Sequence, residues 1–152
     1  MQTYYNYNGL TIRLSNQVVN KLNSFYSSEK KYETGGILLG LFNHDFIEIT
    51  EAYKLKSDIL SKFHYRRNTK LAQKLVDKRW TETNGVVNYL GEWHTHPEMS
   101  STPSCVDKIT LANVLFRLED KIPGVVILIL GKNKEITMMI GKGKETYALL
   151  LS

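Results

Sequence analysis

A run of six consecutive aliphatic residues, Val125 to Leu130 ("VVILIL"), constrains the fold more than any other feature of this sequence. The run is far shorter than the ~20 apolar residues that a membrane-spanning helix needs. Its β-branched side chains instead favour a strand that is buried on both faces of a sheet. Other elements must then cover both sides of that sheet, which is typical of a domain that combines strands with flanking helices.

Helices and strands are mixed along the rest of the sequence. Apolar residues recur at helical spacing after Ser15 and after Asn68, and both residues are typical helix N-caps. A third helix is predicted from Ser104 to Leu118, and its side chains predicted to face inward are Ile109, Ala112, Leu115 and Phe116. The predicted strands are Leu10 to Leu14, Gly35 to Phe42, Phe46 to Ala52, Ile59 to Tyr65, Val86 to His96, Val125 to Leu130, Glu135 to Ile140 and Thr146 to Leu150. The sequence therefore predicts an α/β (α+β) fold, a curved, mixed β-sheet flanked by about three helices, in one domain spanning residues 1–152.

The composition is typical of one soluble globular domain. Of 152 residues, 42% are hydrophobic and 23% are charged, and the single cysteine, Cys105, leaves no possible disulfide within the chain. We therefore expect a reducing, cytoplasmic setting, and the first ten residues lack the segments of a signal peptide. The net charge is +5, but the basic residues are scattered. This favours a solvated surface over a nucleic-acid site, with an acidic protein partner as a second possibility.

The segment from Tyr89 to Asp107 ("YLGEWHTHPEMSSTPSCVD") contains two histidines that are one residue apart. Alternate side chains of a strand share a face, so His94 and His96 can bind the same metal ion. A helix that begins near Ser104 has Asp107 on its first turn, where the carboxylate can be a third ligand. Two imidazoles and one carboxylate leave a position open for water, which is typical of catalytic zinc.

The same residues also have a purely structural interpretation. Ser104-x-x-Asp107 resembles a capping box with aspartate in place of glutamate, and that could be its whole purpose. A histidine pair on a strand can lie at a surface without binding a metal. Spacing alone leaves both interpretations open. An H-x-H pattern is weak evidence for a metal site, whereas H-x-H-P followed by P-S-x-x-D is much stronger.

The full pattern, His94-x-His96-Pro97 and then Pro103-Ser104-x-x-Asp107, resembles the signature of the JAMM (MPN+) metalloproteases. Their H-x-H-x(7)-S-x(2)-D pattern is present here without a substitution or a change of length. That family also has a glutamate just before a glycine-rich buried strand, and "YETGGILLG" is similar to that segment. The resemblance covers roughly residues 10 to 140, and "YLGEWHTHPE" is most similar to small prokaryotic JAB-type members.

The resemblance implies a role for five residues. His94, His96 and Asp107 are expected to bind one zinc ion per chain. Glu33, in "YETGG", is expected to be the general base and acid, which takes a proton from the attacking water and delivers it to the leaving amine. Ser104 is expected to hydrogen-bond the oxyanion of the tetrahedral intermediate, and it can cap its helix as well.

Three neighbouring residues have open or structural interpretations. Glu92 shares a strand face with His94, so it is a rival general base, a carboxylate that supports a ligand imidazole, or a solvated side chain. We prefer Glu33 as the base, because in the family the base comes from the separate upstream strand. Trp93 alternates to the opposite face and is predicted to lie in the core. Cys105 is expected to be a small buried apolar residue rather than a nucleophile.

The implied reaction is zinc-dependent hydrolysis of the peptide or isopeptide bond after the flexible C-terminal tail of a conjugated protein. The bacterial members that the chain resembles include peptidases that deconjugate CD-NTases (cGAS-like nucleotidyltransferases) or ubiquitin-like proteins in antiphage systems. Alternatives are a peptidase for small sulfur-carrier proteins, a non-catalytic MPN scaffold and a nucleic-acid-associated JAB protein. The intact ligand set argues against the scaffold. "HTHPEM" also differs from the H-N-H-P-S-G of DNA-repair relatives.

Overall fold

The computed structural model describes residues 3–62, 65–118 and 121–151. Its α-helices are α1 (Asn16–Ser28), α2 (Thr69–Glu82) and α3 (Cys105–Arg117). Its strands are β1 (Thr3–Tyr7), β2 (Leu10–Leu14), β3 (Gly35–Asn43), β4 (Phe46–Leu55), β5 (Asn88–Thr95), β6 (Val125–Leu130), β7 (Ile136–Lys142) and β8 (Glu145–Leu151). Within these ranges, no helix is long and apolar enough to cross a membrane.

All eight strands belong to one mixed sheet, in the order β1-β2-β4-β3-β5-β6-β7-β8. The β2–β4 and β5–β6 pairs are parallel, and the other neighbouring pairs are antiparallel. The sheet curves until its two edge hairpins meet. There the rings of Tyr7 and Tyr147 stack with centroids 4.7 Å apart, and Asn8 donates a hydrogen bond to Glu145. The predicted fold, a curved, mixed sheet with three helices, is confirmed.

The helices begin where the sequence supplies N-caps. The side chains of Ser15, Asn68 and Ser104 each accept a hydrogen bond from the backbone N–H three residues later. Each bond satisfies one of the N–H groups that a first helical turn leaves without a partner. After α2, Asn84 and Gly85 both adopt positive φ, 53° and 82°, which turns the chain back toward β5. The predicted caps are therefore confirmed at all three helices.

The helices divide the two faces of the sheet between them. On one face, which we call the α1 face, Leu22 of α1 packs in a cluster with Leu38, Trp93 and Leu128. On the other face, the α2/α3 face, Ala72 packs on β3, and Leu111 and Val114 pack on β6 and β7. All six residues of the "VVILIL" strand are buried, as predicted for a strand covered on both sides.

Three details of the sequence-based prediction are wrong. Strand β1 was not predicted. No strand forms in the described part of the predicted Ile59 to Tyr65 strand, and Phe63 and His64 lie outside the described residues. On α3, three of the four residues predicted to face inward are exposed: Ala112, and Ile109 and Phe116 with 60% and 81% of their surface exposed. The helix turns Leu111 and Val114 inward instead, because these two share the face that carries Asp107.

Candidate metal centre

The two histidines lie at the end of β5, on the α2/α3 face of the sheet. Strand alternation directs Trp93 into the α1 face and His94 to the opposite face. His96 continues the pairing one residue beyond the strand, since its backbone N–H donates to Leu130 O at 2.8 Å. The two imidazole centroids are 5.3 Å apart, so both rings can reach one ion.

The first turn of α3 brings a carboxylate to these rings. Asp107 Oδ1 lies 2.9 Å from His94 Nε2, and Oδ2 lies 3.2 Å from His96 Nε2. The same Oδ2 accepts the backbone N–H of Ser104 at 2.8 Å, which completes a capping box. Burial alone would raise the pKa of Asp107, but the two imidazoles and the Ser104 N–H hold it well below its usual range. The capping box is therefore confirmed, and the same carboxylate also faces the two histidines, so the cap does not exclude a metal site.

The contacts of the imidazole nitrogens are compatible with a metal site. His96 Nδ1 lies 2.9 Å from Ser100 O, and the carbonyl can only accept, so Nδ1 carries the hydrogen. The lone pair of His96 Nε2 is then available as a ligand. His94 Nε2 is buried and has no hydrogen-bond partner among the described residues, despite its closeness to Asp107. One ligand atom each from His94, His96 and Asp107 lies within 4.8 Å of the others, and two nitrogens with one oxygen suit zinc.

Glu33 lies beside this cluster, just before β3. Thr34 exchanges two hydrogen bonds with Thr95, from Thr34 N–H to Thr95 Oγ1 at 3.0 Å and from Thr95 N–H to Thr34 O at 2.8 Å. Gly35 pairs with His94 in the antiparallel register, so that register continues to Glu33 opposite His96. Only 7% of Glu33 is exposed. Burial raises its pKa to about 7, against the opposing charges of His94 and His96.

The two glycines after Glu33 allow this close packing. A Cβ at Gly35 would lie 2.5 Å from Trp93 O and 2.7 Å from the ring of Tyr65. A Cβ at Gly36 would lie 1.7 Å from Tyr53 O. Neither position can accept a side chain without moving backbone, so "TGG" is needed for the glutamate segment to lie against β5.

Ser104 and Cys105 are both exposed at the start of α3. The Ser104 Oγ accepts the Asp107 N–H at 3.1 Å, and its hydroxyl hydrogen is left to donate toward the solvent side. The prediction that Cys105 is buried is wrong. Cys105 is the first residue of α3 and lies on the side that faces solvent, whereas Asp107 lies on the side that faces the sheet and is buried.

Glu92 does not have the freedom that a general base needs. Its Oε2 accepts from Arg67 at 2.8 Å and from the Tyr89 hydroxyl at 2.9 Å, and only 8% of the residue is exposed. Arg67 also lies over the Tyr89 ring, 5.9 Å from its centroid. This network joins the segment before α2 to β5, next to the histidines. Nothing in the sequence indicated it, because the three residues are brought together by tertiary packing.

The structure therefore brings together His94, His96, Asp107 and Glu33, with Ser104 at the exposed rim. A family model for prokaryotic homologues of the JAB domain matches residues 15–141. The chain belongs to this family. Its members that match in sequence include two proteins named CD-NTase/cGAS isopeptidase. The protein from Pseudomonas aeruginosa is 29% identical over 78% of this chain and 75% of its own length. The protein from Escherichia coli is 32% identical over 62% of each chain.

Two further proteins are similar to this chain. A protein of Sinorhizobium fredii named probable metalloprotease y4qB is 28% identical over 64% of this chain and 62% of its own length. The chain thus spans about three fifths of the length of two of these three relatives. The solution structure of protein DSY2949 from Desulfitobacterium hafniense superposes with a TM-score of 0.63. It covers 90% of this JAB-family chain and 88% of its own, at 20% identity, which supports the fold alone.

Proposed function

We propose that this JAB-family protein is a zinc-dependent isopeptidase. The observation that carries the proposal is the cluster of two histidines and one aspartate with a buried glutamate beside it. His94, His96 and Asp107 would hold one zinc ion, and Glu33 and Ser104 would act on the substrate. His94 Nε2 is buried and has no hydrogen-bond partner within residues 3–62, 65–118 and 121–151, which fits a ligand better than a structural residue.

His94, His96 and Asp107 would hold the zinc ion, which when bound would polarise the substrate carbonyl and lower the pKa of water. The remaining steps belong to the protein. Glu33, which is buried beside the cluster, accepts the proton of the attacking water and returns it to the amine nitrogen as the carbon–nitrogen bond breaks. The Ser104 hydroxyl donates a hydrogen bond to the oxyanion. The products are a carboxylate on one protein and a free amine on the other, so one water is consumed for each bond.

The proposed substrate is a CD-NTase joined through its own C-terminus to a lysine of a target protein. The names of two relatives, both called CD-NTase/cGAS isopeptidase, support this class of substrate. An extended C-terminal tail can reach the site because Ser104 lies at the exposed rim of the cluster. Processing of ubiquitin-like or sulfur-carrier proteins would use the same residues on another tail.

The test is cleavage of a purified fusion in which a CD-NTase is joined through its C-terminus to a cargo protein. We expect two products, whose masses place the cut directly after the CD-NTase. A chelator and Glu33→Gln should each abolish cleavage, while Glu33→Gln retains zinc. Glu92→Gln is the matched control and should keep most activity. If Glu92→Gln is inactive and Glu33→Gln is not, the base has been assigned to the wrong glutamate.

A further inference from the structure

The helix that carries Ser104 and Asp107 has a second apolar face, which packs on nothing in the described chain. Four of its residues, Val106, Ile109, Ala112 and Phe116, are exposed and follow one another along one side of α3. We call this set the outer stripe. Val106, Ile109 and Phe116 are 46%, 60% and 81% exposed. A contiguous row of large exposed apolar side chains is typical of a surface that binds another protein.

The outer stripe leads into a groove at the C-terminal end of α3. The groove is about 1040 Å³ in volume and lies between α3 and the β7–β8 turn. Leu115 and Phe116 line it from α3. The β7–β8 turn contributes Lys142, Lys144 and Glu145, and the carboxylate of Glu145 accepts hydrogen bonds from Asn8 and Tyr7. Lys108 is exposed on one flank of the stripe. Among the described residues, neither Lys108 nor Lys144 pairs with a carboxylate, so the surface is apolar with a basic rim.

We propose that the outer stripe and this groove bind the folded body of the protein substrate, through an apolar patch that is rimmed by acidic residues. This inference rests on the proposed function, since it names the surface that presents the substrate's tail to the site. Because the rim of this surface is basic, it should attract a partner surface whose rim is acidic. Exposed aliphatic and phenyl side chains favour a protein over a nucleic acid, whose phosphates would need many more cations.

The geometry of α3 links this surface to the cluster. Asp107 and Phe116 are nine residues apart, which is about 14 Å along a helix. A tail of about five extended residues spans that distance. A substrate body seated on the outer stripe would therefore hold its C-terminal tail within reach of Ser104. Such docking lowers KM for a whole protein and leaves the chemical step unchanged, because the docking contacts are the same in the ground state and the transition state.

The test compares a whole CD-NTase fusion with a short peptide that carries only its C-terminal residues and a reporter amine. Phe116→Glu and Ile109→Glu should each raise KM for the fusion at least tenfold, with kcat unchanged and peptide cleavage unchanged. Both side chains are exposed, so neither variant should change Tm. Leu71→Glu, at an exposed apolar position on α2, is the matched control and should behave as wild type.

A binding measurement separates this surface from the proposed chemistry. Glu33→Gln protein loaded with zinc should bind the CD-NTase by calorimetry, more weakly at high salt and at least tenfold more weakly with Phe116→Glu added. If the wild type cleaves the fusion while Phe116→Glu leaves KM and binding unchanged, the surface is refuted and the isopeptidase stands. If neither binding nor cleavage occurs, both proposals fail. Self-association that Phe116→Glu abolishes would refute the substrate as the occupant and assign the stripe to a second copy.

A separate set of contacts concerns the support of the histidines. The loop after His96 is held by Glu135, which precedes β7. Glu135 Oε1 accepts three hydrogen bonds, from Ser101 Oγ at 2.7 Å and from Ser101 N–H and Ser100 Oγ at 3.1 Å each. Ser101 is fully buried, and its hydroxyl also contacts Thr137 Oγ1 at 2.7 Å. The carbonyl of Ser100 is the group that faces His96 Nδ1.

We infer that Glu135 is a positioning residue for the metal centre. By holding Ser100 and Ser101, it fixes the carbonyl that selects the tautomer and the ring orientation of His96. A chain of this kind affects metal binding without touching metal or substrate. The carboxylate is suited to the role, because the three donors that surround it hold its pKa below the usual range, so it accepts hydrogen bonds at any working pH.

Zinc affinity and a cobalt spectrum test this role without relying on activity. Glu135→Ala should weaken zinc binding about 10–100-fold in a competition titration with a chromophoric chelator, and should shift the visible absorption of the cobalt-loaded protein. Glu135→Gln keeps one acceptor oxygen and should recover most of the affinity. Glu98→Ala, on the same loop, is the control. An unchanged zinc Kd and cobalt spectrum in a folded Glu135→Ala protein would overturn the inference.

Discussion

The two faces of the sheet use the same strands for different purposes. On the α1 face, Trp93 is fully buried, stacks on Phe25 and donates its indole N–H to Tyr53 O at 3.0 Å. One residue later, on the opposite face, His94 points a buried nitrogen, which has no hydrogen-bond partner in the described part of the chain, into a cluster of titratable groups. The alternation of β5 thus separates stability from chemistry. We expect substitution of Trp93 on the α1 face to change folding, and substitution of the site residues on the α2/α3 face to change activity at a smaller or opposite cost in stability.

The largest effect on stability should come from the α1 face. Trp93→Ala removes a fully buried indole and its hydrogen bond, and should lower the free energy of unfolding by about 4 kcal/mol. Urea denaturation measures this change. The fraction that remains folded should keep zinc and activity. A loss of zinc at a denaturant concentration where the variant is still folded would show that the faces are coupled.

Glu33→Gln, on the α2/α3 face, should raise the stability of the protein, by a smaller amount than Trp93→Ala lowers it. Its pKa is raised from 4.5 to about 7, so the native state prefers the protonated form, and stability falls as pH rises through this range. Above pH 7 the buried carboxylate costs about 3 kcal/mol by this shift. In chelator-treated protein, Glu33→Gln should therefore be more stable than wild type at pH 8 and similar to it at pH 4.5. If the two proteins are equally stable at both pH values, the buried Glu33 carboxylate does not destabilise the native state.

Substitutions of Ser104 and Asp107 distinguish the loss of the helix cap from the loss of metal binding. Ser104→Ala removes a cap and should cost about 1 kcal/mol of stability, with zinc retained and kcat reduced by loss of the oxyanion donor. Asp107→Ala should lose zinc as well as the cap. Elemental analysis and kinetics on both variants measure the difference. Retention of zinc by Asp107→Ala would leave the capping box as the only purpose of this carboxylate.

The smallest effect is expected at Cys105. The residue is exposed and adjoins Ser104 on the site side, so it is the obvious rival nucleophile. Cys105→Ser should change stability by less than about 0.5 kcal/mol and leave kcat within twofold of wild type. Steady-state kinetics of this variant are sufficient. A large fall in kcat would indicate that the thiol of Cys105 takes part in the reaction as the nucleophile.

The sequence predicted what depends on local pattern, and missed what depends on packing. Strand alternation predicted that His94 and His96 share a face opposite Trp93, and the cap pattern predicted where α3 begins. The position of Glu33 came from a motif some sixty residues upstream of the histidines. The pairing of Glu92 with Arg67 could not be predicted, because the two residues are far apart in the sequence and only tertiary packing brings them together. The outward face of α3 was also missed, since both of its faces are apolar and only the position of Asp107 decides which one is buried.

The central claim is that the cluster on the α2/α3 face binds zinc and needs it for peptide-bond hydrolysis. The most direct test is to strip the protein with a chelator, add zinc in small steps, and follow cleavage of the CD-NTase fusion. We predict no cleavage by the stripped protein. Cleavage activity should then rise linearly with added zinc until one zinc is present per chain, and His94→Ala should recover no activity. Full activity in the stripped protein would contradict this claim.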